Sequence, residues 1–242
     1  VTARADHLVG VLGGMGPAAT ADFYARLIQH TPASRDQEHL RVVIWADPTV
    51  PDRVSAVLEG TDGPYPAMLA GARRLCELGV TVAAMPCNTA HVFLPRLVAD
   101  TGLPFVDMIE ETVGALTRAG TAPRAVGLLG TRGIVHSRLY QDRLRAAGIR
   151  PVEPGPEVQA EVDAAIRAVK RGELATAGDH AVAAVRRLAG GTVDAVVLAC
   201  TELPVALRDS DRAGLPLLVD PTEQLAVAVV TTCLGAEAHR AG

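Results

Sequence analysis

Two stretches of the chain occur twice, and this repeat constrains the fold more than any other feature. Val9-Gly10-Val11-Leu12-Gly13-Gly14 is echoed by Val126-Gly127-Leu128-Leu129-Gly130-Thr131, an offset of 117 from Val9 to Val126. Val82-Ala83-Ala84-Met85-Pro86-Cys87-Asn88-Thr89 is echoed by Val196-Val197-Leu198-Ala199-Cys200-Thr201-Glu202, an offset of 113 from Cys87 to Cys200. Apolar strands that run into glycine turns recur throughout α/β proteins, so the first echo alone says little. A cysteine at the end of both members of the second echo makes duplication the better explanation. The expected chain is two related halves. Each has a strand entering a glycine turn and a later strand ending in Cys and Thr.

The remaining pattern agrees. Apolar, β-branched runs at Leu8–Leu12, Val42–Ala46, Val80–Met85, Phe105–Met108, Ala125–Gly130, Ala195–Ala199 and Leu217–Val219 read as strands. Amphipathic stretches at Ala18–His30, Ala67–Leu78, Glu110–Ala119, Ser137–Ala147, Glu157–Lys170, Leu174–Leu188 and Thr222–Leu234 read as helices. Strands apolar on both faces, with helices between them, predict parallel sheets covered on both sides. The expected fold class is α/β, with two pseudo-symmetric domains, each a parallel sheet flanked by helices, and a site in the cleft between them. Residues 1–117 plus 218–242 would form the domain that carries Cys87, and 118–217 the domain that carries Cys200.

Composition excludes several functions. A net charge of -4 argues against a surface that reads nucleic-acid phosphates, and 3% aromatic residues leave little for base stacking. No apolar run reaches membrane-spanning length. Val1–His7 carries no long apolar region behind a basic segment, so no signal peptide is expected. Four cysteines without CxxC spacing fit neither a disulfide scaffold nor a structural zinc site. The expectation is a cytoplasmic protein with reduced thiols and no metal. Lys170 is the sole lysine among 23 basic residues, so lysine Schiff-base chemistry has one candidate at most.

A lone cysteine at a strand end is ordinarily a small buried hydrophobe, and Cys76 and Cys233 on their helices read that way. Cys87 and Cys200 differ because their contexts match. Ligands of open parallel sheets bind beyond the carboxyl ends of the strands, where both cysteines fall. If the halves face each other, the two thiols flank one cleft. Thr89 and Thr201 follow them near helix starts, where free N–H groups suit a carboxylate and the local field lowers a thiol pKa. Thiols on opposite sides of a carbon acid imply proton removal on one face and return on the other, which inverts Cα. His91 is expected to position the first cysteine loop.

The motifs match a known family at this point. Gly13-Gly14-Met15-Gly16-Pro17, Asp47-Pro48-Thr49-Val50-Pro51-Asp52-Arg53, Met85-Pro86-Cys87-Asn88-Thr89-Ala90-His91 and Cys200-Thr201-Glu202 resemble aspartate racemases, of the cofactor-independent aspartate/glutamate racemase superfamily. Met108-Ile109-Glu110-Glu111 and Val169-Lys170-Arg171-Gly172 also look like family counterparts, so the resemblance spans the chain in order. It implies a homodimer that uses no cofactor and takes a small acidic amino acid as substrate. By resemblance, Cys87 and Cys200 are the acid/base pair. Asn88, Thr89, Thr131 and Thr201 hold the α-carboxylate and α-amino group. Met15 closes over the substrate, and Asp47 assists proton transfer near the first cysteine. Arg53 and Lys170 bind the side-chain carboxylate, a role that suits cations in kind. Glu202 after the second Cys-Thr is similar to the aspartate branch, since glutamate racemases commonly carry His there. Gly130 and Ile134 depart from relatives, which more often have Ala and Thr, and Trp45 precedes the Asp47 loop.

Other readings stay open on the sequence. The same fold serves maleate-type isomerases, hydantoin racemases and decarboxylases, although decarboxylases of the superfamily need only one protonating cysteine. A non-catalytic protein that binds a dicarboxylate in the cleft would use the same residues.

Overall fold

The computed structural model describes residues 6–118, 122–190 and 193–235. Most of the Val1–His7 segment, the helix end expected at Ala119 and the end of the 218–242 segment lie outside them. In chain order the described elements are β1 (Leu8–Gly13), α1 (Pro17–His30), β2 (Arg41–Ala46), α2 (Arg53–Glu59), α3 (Tyr65–Glu77), β3 (Val82–Ala84), α4 (Leu94–Thr101) and α5 (Met108–Arg118). The second half continues with β4 (Ala125–Gly130), α6 (Arg132–Ser137), α7 (Leu139–Ala146), β5 (Arg150–Val152), α8 (Pro156–Lys170), α9 (Leu174–Ala189), β6 (Ala195–Ala199), α10 (Glu202–Ala206), β7 (Leu217–Val219) and α11 (Pro221–Leu234).

Both sheets are parallel and share one topology. The first runs β2-β1-β3 and the second β5-β4-β6-β7. The repeat extends to the pairing register. Val9 pairs Val82, and their counterparts at offsets 117 and 113, Val126 and Ala195, also pair. Ala83 forms an isolated parallel bridge to Phe105, and offset 113 turns that pair into Val196 and Leu218, which β6 and β7 also pair. The chain is therefore an α/β protein of two parallel sheets flanked by helices.

Alternating side chains fill a layer on each face of each sheet. In the first sheet Val9 and Val11 pack with Phe23 and Leu27 of α1 and Leu225 and Val229 of α11, while Leu12 packs with Met68 and Leu75 of α3. In the second, Val126 and Leu128 meet Ile109 and Val113 of α5 and Tyr140 of α7. Leu129 faces the α8–α9 hairpin through Val162 and Val185. Such fully buried side chains each contribute roughly 1.5–3 kcal/mol. α11 thus returns to the first sheet, whereas α5 lays its apolar face on the second. β7 pairs β6, so the crossover back to the first sheet follows Val219.

Local chemistry sets the element ends. Pro17 opens α1, Asp52 caps α2 through Ser55 N, and Asp220 caps α11 through Thr222 N. Thr131 caps α6 through Ile134 N. Gly14 has φ +87°, and a Cβ there would stand 2.4 Å from the Asp47 backbone. Only glycine lets the β1 turn pass that close.

Several expected elements change. The strand expected at Phe105–Met108 shrinks to the single bridge, because Met108 already opens α5. β3 ends at Ala84, since β1 pairs it only from Val9 to Val11. The helix expected at Ser137–Ala147 is α7 and begins at Leu139, because Arg138 has φ 62° and separates it from α6. The edge strand β5, which contains Pro151, and the short helices α2, α4 and α6 were not expected. Among the described residues no helix is long and apolar enough to cross a membrane.

Candidate active site

The carboxyl ends of β3 and β6 deliver Cys87 and Cys200 to one cavity. Met15, Arg53, Asn88, Thr89, Thr131, Lys170 and Thr201 line it with them, as do Asp52, Val54, Ile166 and Glu202. The cavity holds about 40 Å³. Its walls come from both halves and meet closely. Thr89 and Thr131 share a hydrogen bond of 2.8 Å between their hydroxyls. A Cβ on Gly133 of α6 would lie 3.1 Å from Val54 of α2.

Asp47 does not line the cavity. Its carboxylate accepts from Thr49 N at 2.9 Å and Thr49 Oγ1 at 2.6 Å, which hold it below the usual carboxylate range. The acidic residue of that loop at the cavity is Asp52. Burial pushes its carboxyl up, but Ser55, Arg53 and Lys170 more than offset this and leave it low. The PDR run of Asp52-Arg53 was visible in sequence, but nothing there separated Asp52 from Asp47 five residues before it.

Both thiols are free and buried. The expected lowering of their pKa values is reversed, because burial outweighs the local N–H groups. For Cys87, burial raises the thiol, and the Arg53 cation and the Ala90 N–H pull back part of the way. For Cys200, burial is reinforced by Glu202, so this thiol is raised much further. Cys200 Sγ donates to Glu202 Oε2 at 3.0 Å, and Thr201 Oγ1 donates to the same oxygen at 3.3 Å. Glu202 served in sequence only as a family marker. Here it is the carboxylate nearest either thiol's proton.

Two buried donors remain open in the cavity wall. Arg53 places its terminal nitrogens on Val50 O, Pro51 O and Met15 O, which leaves Nε without a partner. Asn88 Oδ1 accepts from Tyr140, which leaves Nδ2 without one. A substrate carboxylate supplies what these donors lack. Lys170 stands exposed at the end of α8, on the rim. His91 is buried and engaged on both nitrogens. Nδ1 meets Cys87 O at 2.8 Å and Nε2 accepts from Met108 N at 3.1 Å. Burial holds its pKa down, so the ring is a neutral brace for the Cys87 loop.

Fold and cavity together define a two-lobed α/β protein whose paired thiols share one polar site. The model of the Asp/Glu/hydantoin racemase family matches residues 12–229, and the chain belongs to that family. It is therefore an isomerase of the amino-acid racemase class. The broad specificity amino-acid racemase RacX of Bacillus subtilis is 29% identical over 231 residues, covering 94% of this chain and 98% of the relative. The structure of Picrophilus torridus aspartate racemase is 34% identical with a TM-score of 0.83, covering 94% of each chain. Glutamate racemase of Francisella tularensis, solved with D-glutamate, shares the fold at 15% identity and TM-score 0.70, over 98% of this chain and 84% of that one.

Proposed function

We propose that this protein racemises a small acidic amino acid, aspartate foremost, by a two-base reaction in which Cys87 and Cys200 work on opposite faces of Cα without a cofactor. The observation that carries this reading is two free thiols on one cavity with opposite electrostatic partners. Cys87 has a cation and an N–H group beside it, while Cys200 has a carboxylate. That asymmetry suits a pair in which one member is a thiolate while the other keeps its proton.

In one direction the Cys87 thiolate takes the α-proton and the Cys200 thiol delivers its proton to the opposite face. The proton count is unchanged, and the enzyme ends with its protonation states exchanged. Return to the starting state, or reaction of the other enantiomer, uses Cys200 as base with Glu202 beside it to accept or hold the proton. The carbanion formed between the steps delocalises into the α-carboxylate. Asn88 Nδ2 and Arg53 Nε, both unpaired donors, stabilise that charge. The racemase should wash the α-proton of L-aspartate out into D₂O and accumulate D-aspartate, read by NMR and chiral chromatography. Absence of exchange across a panel of acidic and neutral amino acids would sink the proposal.

A wider substrate range is the second reading. It is favoured because Arg53 spends its terminal nitrogens on backbone carbonyls, which leaves Lys170 to meet a distal carboxylate. The same panel decides between the two by the ratio of kcat/KM for aspartate to that for neutral amino acids. A homodimer in the cytoplasm belongs to the same proposal, and sedimentation and cell fractionation test it.

A further inference from the structure

Tyr140 is fully buried in an apolar layer, against Ile109, Val113, Leu144 and Ile149. A phenol there must find a partner for its hydroxyl, whereas phenylalanine would fill the space without that demand. Thr112 of α5 is one partner, and another lies across the molecule. The hydroxyl, carried by α7 of the second half, donates to Asn88 Oδ1 of the first half at 2.6 Å. This bond occupies the acceptor of the amide and leaves Nδ2 as the open group of a residue that lines the cavity.

A primary amide has two orientations of nearly equal shape and opposite chemistry. One offers N–H groups to a bound carboxylate. The other offers a carbonyl oxygen that repels it. Burial holds the Tyr140 hydroxyl protonated, well above the ordinary phenol range, so its proton stays available to Asn88 Oδ1 at every working pH. Its helix is pinned independently. Arg143, one turn on, pairs with Asp107 Oδ2 at 2.8 Å, and Asp107 Oδ1 in turn caps α5 through Ile109 N.

We infer that Tyr140 is a positioning residue, fixing the Asn88 amide from the opposite half so that its N–H groups, and not its oxygen, meet the substrate carboxylate. This rests on the racemase reading of the cavity. It also makes carboxylate recognition depend on docking of the two halves, since Asn88 is oriented only while α7 is in place.

The test is Tyr140→Phe, alone and in an Asn88→Ala background, with Asn88→Asp as a second variant that keeps an acceptor for Tyr140 but offers no N–H. Tyr140→Phe should raise KM and also lower kcat, because Asn88 serves both binding and the developing charge, and kcat/KM should fall at least about tenfold. In the Asn88→Ala background it should change kcat/KM less than about twofold, because the group it acts through is gone. Asn88→Asp should raise KM at least as much as Tyr140→Phe. An unchanged KM in Tyr140→Phe, or equal losses in both backgrounds, overturns the role. Calorimetric binding of L-aspartate separates the two ideas. A wild type that binds aspartate but turns over no amino acid defeats the racemase reading, while about tenfold weaker binding in Tyr140→Phe still supports the positioning role. No binding of L-aspartate to the wild type overturns the positioning role as stated, and the exchange panel alone then decides the racemase reading.

Discussion

Replacing Glu202 with Gln isolates the charge that separates the two thiols. The carboxylate oxygen lies 3.0 Å from Cys200 Sγ. With an effective dielectric constant of about 20, two unit charges at that distance repel by about 5.5 kcal/mol. A thiolate would relax away from its neighbour, so the realised effect is smaller than this, with its direction unchanged. Glutamine keeps the length and one acceptor oxygen, so the substitution removes charge with little change of shape. The Cys200 pKa should therefore fall, and Cys87 should fall less, because Glu202 acts on it more weakly than Arg53 and Ala90 do. Alkylation rates resolved by peptide mass spectrometry across pH 6 to 10 measure both thiols in one protein. Cys233, whose pKa burial alone pushes up to about 11, is an internal reference. A Cys200 profile that stays in place or moves up would refute the electrostatic reading. Activity gives a second check. Enantiomers have equal free energies, so kcat/KM in the two directions must remain equal in every variant, and Glu202→Gln should lower both by the same factor, at least about tenfold.

Three further outcomes are expected. The base is a thiolate and burial raises both thiols, so kcat/KM of the free enzyme should climb about tenfold per pH unit from pH 7 to 8.5, and a plateau below pH 7 would contradict it. Asp220 is raised to about 6 by burial, despite its 2.7 Å pair with Arg26, a guanidinium it shares with Asp22 and Glu223. A carboxyl raised on folding favours the protonated folded state, so its contribution is present at about pH 4 and is lost as pH rises through 6. Asp220→Asn should thus be more stable than wild type at pH 7.5, by about 1–3 kcal/mol, and lose that advantage near pH 4 in urea titrations. Gly14→Ala should cost at least about 2 kcal/mol and raise KM by displacing the Met15 loop, and a neutral effect on unfolding would show that the turn relaxes.

The layers of the fold were legible because buried parallel strands leave continuous apolar runs, as at Ala125–Gly130 and Ala195–Ala199. The missed elements lack such a signal. β5 is three residues long with Pro151 inside it, tolerable only because an edge strand has one unpaired side. α2 and α6 are about two turns or fewer, and their positions follow from caps at Asp52 and Thr131 rather than from any apolar period. Within the cavity, residue types were readable and polarity was not. Cys87 and Cys200 stand in matched sequence contexts, yet their pKa order depends on Arg53 and Glu202, which arrive by tertiary folding and by a two-residue offset. Gly130 and Ile134 are a further case. A Cβ at Gly130 would lie 2.5 Å from Ile134 Cγ2, so the two departures from relatives occupy one space.

The repeated scaffold places two thiols at equivalent strand ends, and equivalence alone is a poor design for two-base inversion. Equal thiols in equal surroundings would share one tendency to ionise, so the productive mixed state would compete with states in which both or neither hold a proton. The halves have diverged where this matters. The first places Arg53 and the Ala90 N–H near its sulfur, and the second places Glu202 there. The backbone register stays identical at Val9–Val82 and Val126–Ala195, so divergence of charge did not require divergence of the scaffold. On the proposed mechanism the shared scaffold keeps the sulfurs on opposite faces, and the unequal neighbours bias the resting proton toward Cys200. Removing the bias therefore tests the idea more sharply than removing a thiol. With Glu202→Gln combined with Arg53→Gln, the two alkylation profiles should converge although both cysteines remain.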